Sequence, residues 1–357
     1  MNTHFSTPTK KICCSLLAVA LLVSPLLNAH AASVGAASER PSVPSEQAAH
    51  AYLLGVAQAG KRLVAVGERG IVLLSDTEGA TWRQVQTPVS VTLTVVRFAD
   101  ARHGYIAGHG GTVLVTSDAG ETWNKSLDGK QIAEIVLSEA TATGDAKALA
   151  DAVRQKSEGA DKPLLDMFVR DAQNIVVVGA YGLMLSTVDG GQHWQSWGHR
   201  LNNPRGLHLN AIRGFGDQMV IVGEQGLMRL SRDQGATFTS LKSPYAGSFF
   251  TVEMPASGVI IAAGLRGNVL RSDNFGEHWT ALISPVPASV TSSTITADGE
   301  LLLANQAGLI MKERAGRLVP VNPQVMPAVN NLLALADGKL IVLSAEGVAT
   351  STSGENK

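Results

Sequence analysis

Cysteine is nearly absent from this chain. Cys13 and Cys14 are the only two, and both lie in a leading stretch that reads as a removable targeting segment. Lys10 and Lys11 precede an apolar run from Ile12 to Val23, and Ala29-His30-Ala31 offers a small-residue cleavage site. A chain beginning near Ala32 then has no disulfide, no thiolate metal site and no thiol nucleophile, so packing must supply its stability. A membrane anchor is the competing reading of the same stretch. Its apolar run is shorter than the ~20 residues that a spanning helix needs, and Pro25 interrupts it before Leu26 and Leu27. A lipid anchor would carry its cysteine after the run, not at its start. Residues 1–31 are therefore read as a secretory signal, which implies export to a periplasm or to the exterior.

Charge of one sign is also lacking. Without Lys10 and Lys11 the 29 basic residues become 27 against 30 acidic ones, a net charge near −3 with no long run of either sign. A nucleic-acid partner is disfavoured, because neutralising phosphates takes a clustered basic surface. About 326 residues remain after the signal, enough for two ordinary domains or for one long closed all-β fold.

What the sequence does contain is a repeat. A strand ending in Gly, a two-residue tip, Gly and a second strand recur as VGERGIVLLS, AGHGGTVLVT, VGAYGLMLST, VGEQGLMRLS, AGLRGNVLRS, ANQAGLIMKE and LSAEGVATST. The first tip positions are Gly67, Gly108, Gly179, Gly223, Gly264, Asn305 and Ser344, and all but one of the steps between them lie near 41 residues. Paired glycines suit a tight hairpin that needs positive φ, and the flanking apolar runs suit buried strands. Each unit adds an earlier strand, such as Leu93 to Phe98, and a later one beginning at Trp82, Trp123 or Trp194. Four strands per unit predict an all-β, seven-bladed β-propeller of four-stranded blades spanning residues 51–351.

Most copies carry a second signature after the hairpin, of the Asp-box type. TSDAGETW supplies Asp118, Gly120 and Trp123; TVDGGQHW supplies Asp189, Gly191 and Trp194; SRDQGATF supplies Asp233, Gly235 and Phe238. The Asp side chain is expected to accept bonds from the backbone ahead of it, Gly to take an unusual dihedral, and the aromatic to cover the hairpin. These carboxylates read as turn-makers. Thr77 and Asn274 stand at the Asp position in SDTEGATW and SDNFGEHW. The sixth copy has lost the box and the seventh stops before one, as terminal repeats do. Residues 32–50 precede the first blade, and Ser38 to His50 is expected to supply the missing outer strand of the last one, hiding an edge that invites association. Residues 352–357 form a tail.

The long step reflects an insertion at about 125–164, rich in Ala, Glu, Asp and Lys. Ala146, Leu149, Ala150 and Val153 follow helical spacing with Asp145 as N-cap, and Ile132, Ile135 and Val136 begin a second, shorter pattern. These patterns predict a short helical insertion on the rim. It is either a loop packed on its own blade or a partner-binding element.

Chemistry is poorly represented. The tyrosines Tyr52, Tyr105, Tyr181 and Tyr245 lie in no sialidase-like context, and the Phe/Tyr-Arg-Ile-Pro motif is missing. His103, His109, His193, His199 and His208 do not have the spacing of a metal-ligand set, and no phosphate loop, dinucleotide fingerprint or nucleophile elbow is present. Neither catalytic residues, cofactor nor metal are expected. Arginine is the recurrent polar feature: Arg97, Arg170 and Arg213 near the ends of inner strands, and Arg69 and Arg266 at hairpin tips. Rotational repetition would gather such positions into a basic zone facing a carboxylate-bearing partner. The bland alternative pairs each with a neighbour such as Asp100, Asp171 or Asp217.

The signal, the seven glycine-tipped hairpins and the partly degenerate boxes resemble the photosystem II stability/assembly factor-like family of exported Asp-box (bacterial neuraminidase repeat) propellers. The resemblance covers roughly Tyr52 to Ser351. It implies a non-catalytic propeller that assists assembly of a membrane protein complex by holding a precursor subunit, with an arginine-rich surface involved. Nothing in the sequence points to a photosynthetic host. Another envelope complex, such as a transporter, is then the expected partner. The alternative is a carbohydrate-binding or glycoside-hydrolysing propeller, which would show Asp or Glu pairs converging in a central depression and would accept an anionic glycan.

Overall fold

Each glycine-tipped repeat folds into one antiparallel sheet in the computed structural model. The structure describes residues 1–4, 35–159, 161–321 and 324–352. The expected signal segment therefore falls almost wholly outside the described residues, as does the tail after Thr352. The chain divides into two units, the second of which is Ala36–Lys357. Among the described residues the second unit holds seven sheets, six of four strands and the last of three, with strands of each blade adjacent in chain order. Blade one runs through Leu53–Ala59, Arg62–Gly67, Val72–Ser75 and Arg83–Val85.

Second strands such as Gly104–Gly108, Ile175–Gly179 and Ile260–Gly264 are buried at every residue. They read as unbroken apolar runs because neighbouring blades cover both of their faces. The core is accordingly divided into seven clusters, each formed between two successive blades. Val64, Leu74, Val96 and Ile106 join blades one and two. Leu63, Leu73, Ile341 and Leu343 join blade seven to blade one, so the ring closes by side-chain packing.

Ser38 to His50 does not provide the expected closing strand. Ala37–Glu39 and Ala48–His50 are single 3-10 turns. The segment instead lies along the outer connection of blade one, where Ser42 N–H donates to Thr87 O at 3.0 Å and Ser90 N–H to Ala37 O at 2.7 Å. Pro41 and Pro44 lack the N–H groups that a ladder requires.

The hairpin tips also differ from the expectation that both glycines take positive φ. Gly67 is extended, at φ −168°, while Arg69 and Gly70 hold φ of 55° and 72°. Gly67 is required for another reason: a Cβ there would lie 2.3 Å from Tyr52 O, just before the inner strand.

The insertion forms two helices, α1 (Gly129–Thr143) and α2 (Ala146–Ser157). Asp128 and Gln131 build a capping box on α1, and Asp145 accepts from Lys147 N–H and Ala148 N–H of α2. The pattern begun by Ile132 becomes the longer helix, and Ile132, Ile135 and Val136 pack on blades two and three. On α2 the buried residue is Ala152, while Leu149 and Val153 of the expected apolar face are 38% and 52% exposed. Among the described residues no helix is long and apolar enough to cross a membrane.

Candidate functional site: the central opening

Inner strands of all seven blades line a central cavity of about 580 Å³. Its walls are tied together by polar residues at the second position of several inner strands. Thr94 Oγ1 donates to Leu164 O (2.8 Å), Asn210 Nδ2 to Phe249 O (2.8 Å), Thr291 Oγ1 to Val329 O (2.5 Å) and Asn330 Nδ2 to Leu53 O (2.9 Å). Each bond crosses to the next blade, so the opening is braced by the groups that line it.

Pairing with the tip positions fixes which residues are equivalent. Leu93 pairs with Gly108, Leu164 with Gly179, and Leu209 with Gly223. Counted from there, Arg97 corresponds to Phe168 and Arg213. Arg170 therefore does not belong to the column expected of it. It lies just beyond the strand Leu164–Val169 and bonds Gln234. Arg69 and Arg266 are exposed at hairpin tips, at the opposite end of the blades from Arg97 and Arg213. Of five candidate arginines, the fold brings together two.

Those two are not free cations. Arg97 Nη2 lies 3.2 Å from Asp166 Oδ1, and Arg213 Nη1 lies 2.5 Å from Asp166 Oδ2. Ile212 N–H donates to the same Oδ2 at 3.0 Å. Arg213 Nε also faces Glu253 Oε2 at 3.8 Å, and Ser293 Oγ donates to Glu253 Oε1 at 2.7 Å. Asp166 is 5% exposed, whereas the arginine side chains keep 25% and 22% of their surface. Burial, helped by the like charge of Arg213, pushes the Arg97 guanidinium down to about 10. Burial also works against the charged form of Arg213, but Asp166 and Glu253 more than offset it and hold that pKa above its ordinary value. Both stay protonated at neutral pH. The network thus sums to zero, two cations against two anions, on the side of the opening formed by blades two to five. The same level carries Ala57, Thr294 and Leu333 in blades one, six and seven.

Asp166 and Glu253 were not anticipated; of the local partners first considered, Asp171 does feel the charge of Arg170, while Arg97 and Arg213 turn to Asp166 instead. Asp100 accepts from His103, and Asp171 from Asn174. A signal for Asp166 existed: it is a lone acid inside an otherwise apolar strand, LLDMFV, where an unpaired charge would be expensive.

The aspartates of the repeated turns lie outside the opening. Asp118 accepts from the Thr116 and Thr122 hydroxyls and from Thr122 N–H. Burial is the largest single influence and raises its pKa, but these bonds together outweigh it and hold the group down at about 2. Asp233 is held at about 2 by Thr237 and Ser231. Asp189 is bonded by His193 N–H and the His193 ring, and Asn274 receives His278 N–H in the same way. Gly120, Gly191 and Gly235 all take positive φ. Trp123 and Phe238 pack in the inter-blade cores, and Trp194 Nε1 donates to Ser126 Oγ. Among the described residues no group of three or more His, Cys, Asp or Glu is placed to hold a metal ion.

Comparison with known proteins gives a consistent result. The family model described as Photosynthesis system II assembly factor YCF48 matches residues 74–150 and 147–347. A curated relative, the Photosystem II assembly lipoprotein Ycf48 of Synechococcus sp. (strain CC9902), is 24% identical over 153 residues, which are 40% of this chain and 44% of that protein. The match thus spans under half the length of that relative. Among solved structures, YCF48 bound to D1 peptide superposes with a TM-score of 0.64 at 16% identity, covering 88% of this chain and 96% of the other. YCF48 from Cyanidioschyzon merolae gives 0.63 at 14% identity, covering 87% and 97%. These two likenesses establish the propeller fold.

Proposed function

The chain belongs to the Photosynthesis system II assembly factor YCF48 family, and on that premise we propose that it is a non-catalytic assembly or stability factor. It holds a protein subunit of a membrane or cell-envelope complex, and it acts after export, in a periplasm or outside the cell. The observation that carries this reading is the braced central opening with Arg97 and Arg213 in its wall. Each guanidinium has five N–H donors, of which the network above uses only part. A peptide crossing the opening meets fixed donors beside an uncharged half built from Ala57, Thr294 and Leu333. The solved relative bound to D1 peptide supports a peptide-bearing ligand of this kind. Asp166 and Glu253 do both line the depression, as the acids of a glycosidase would, yet Asp166 has both oxygens committed to arginines and a backbone N–H. That engagement supports binding over hydrolysis.

The test is crosslinking in intact host cells with a tag on the protein, comparing wild type with Arg97→Gln/Asp166→Asn, a double change that removes opposite charges together. Capture of a membrane-complex subunit by wild type, reduced at least tenfold in the variant, is the expected result. Capture of no specific protein, together with retention of a glycan, overturns it and moves the protein to the carbohydrate-binding class.

A further inference from the structure

Helix α2 turns a polar side towards the protein and its apolar side to solvent. Ala146, Leu149, Ala150 and Val153 form one stripe along it, and all four are exposed. Asp151 and Gln155 form another, half-buried beside the buried Ala152. Leu149 and Val153 are two residues out of step with Asp151 and Gln155, a rotation of about 200° on an α-helix, so the two stripes lie on nearly opposite sides. Asp151 and Gln155 line a cavity of about 220 Å³, whose other walls include Val136 and Ala140 of α1 and Leu183 and Met184 of blade three. Its mouth is polar, where Glu139 bonds His199. A dry apolar cavity of about 150 Å³ takes up a benzene molecule, so this one has room for a leucine and a valine side chain together. The stripe is far smaller than the ~800 Å² that each partner buries in a stable protein interface. Its size therefore matches the chain's own cavity better than a second molecule.

We infer that α2 is a hinged flap that rolls about its own axis between two packings. One is the packing described above, with the apolar stripe outward; in the other, Leu149 and Val153 fill the cavity and Asp151 and Gln155 turn to water. Both ends of the helix carry the hinge such a roll needs. Gly144 and Gly159 flank it at φ of 68° and 100°, each with open space where a side chain would stand, and glycine passes between positive and negative φ without steric cost. The N-cap moves with the helix, because Asp145 accepts from Lys147 N–H and Ala148 N–H of α2 itself. The outward packing is held by few bonds: Lys156 Nζ lies 2.6 Å from Glu134 Oε1 of α1, and Lys162 Nζ donates to Gln155 O at 3.1 Å. Burial of the stripe favours the inward packing, and an exposed ion pair such as Lys156–Glu134 opposes it only weakly. The two packings are thus close in free energy, and the rim of blade three can show or hide an apolar stripe. The flap is separate from the central opening and does not depend on what is held there.

The test is disulfide trapping in purified protein whose Cys13 and Cys14 are replaced by Ser, which leaves no other cysteine in the chain. Gln155→Cys/Leu183→Cys reports the outward packing, since both residues line the same cavity. Val153→Cys/Leu183→Cys reports the inward one, because two cysteines whose side chains point apart cannot be bridged. Closure in mildly oxidising buffer is followed by mass spectrometry after alkylation, and the Leu183→Cys change acts equally on both pairs. Both pairs are expected to close, with Glu134→Gln raising the closure rate of the Val153 pair relative to the Gln155 pair by up to about fivefold, the range of an exposed ion pair. A Val153→Cys/Leu183→Cys protein that stays reduced overturns the inference, and so does a ratio that Glu134→Gln does not move. Closure of that pair that climbs steeply with sub-denaturing urea would come from unfolding rather than from a roll, and overturns it equally.

Discussion

Replacing Asp166 by Ala tests whether the charge network at the opening is structural. Asp166 is 5% exposed and receives Arg97, Arg213 and the Ile212 N–H. Removing one member of a buried ion pair costs about 3–5 kcal/mol, because the partner charges remain without compensation. Here Arg97 and Arg213 keep 25% and 22% of their side-chain surface, so water recovers part of that loss and the lower end, about 3 kcal/mol, applies. A chain of this size shifts by about 2 °C per kcal/mol, which gives a fall of about 6 °C in the melting temperature. Differential scanning fluorimetry and urea titration measure it. Arg97→Ala in the same background should cost less than it does alone, since the two sites share a bond and non-additivity of about 1–2 kcal/mol is expected. If Asp166→Ala stays within about 0.5 kcal/mol of wild type, as a surface change would, the network is solvated and the account of the braced opening fails.

Two further outcomes concern the turns. Gly70→Ala combines positive φ (72°) with a Cβ 2.1 Å from Val89 O and should cost about 3 kcal/mol or more in urea melts. Gly144→Ala, at φ 68° but with open space around it, should cost only about 1 kcal/mol; equal losses would show that close approach is unimportant at the tips. Asp118 and Asp233 have folded pKa values near 2, below the ordinary value, so their stabilisation is fully present above about pH 4 and drains away as pH falls towards 2. Melting temperatures from pH 5 to pH 2 should drop less steeply in Asp118→Asn than in wild type, and identical slopes would refute the assignment.

The seven-bladed architecture was legible because it is written locally and repeatedly. The glycine tips, the box residues Asp118, Asp189 and Asp233, and the N-caps Asp128 and Asp145 act on backbone within a few residues, where spacing alone specifies geometry. Even so, the glycines were legible for only part of their reason, since Gly67 is needed by the close approach of Tyr52 O, just before the inner strand, and not by its own φ.

The site was less legible because its residues meet across blades. Arg97, Asp166 and Arg213 belong to three successive blades, and strand register decides that Phe168 stands at their level while Arg170 lies beyond the strand. The outward turn of Leu149 and Val153 on α2, and the lack of a closing strand from Ser38 to His50, are likewise outcomes of competition for surfaces that no local pattern records. Sequence alone determined the number of blades, the turns that join their strands and the helical character of the insertion, because those depend on short-range sterics and hydrogen bonds. Tertiary structure alone decided which charges neutralise one another and which residues share a level of the opening, because those depend on register and on burial between segments far apart in the chain.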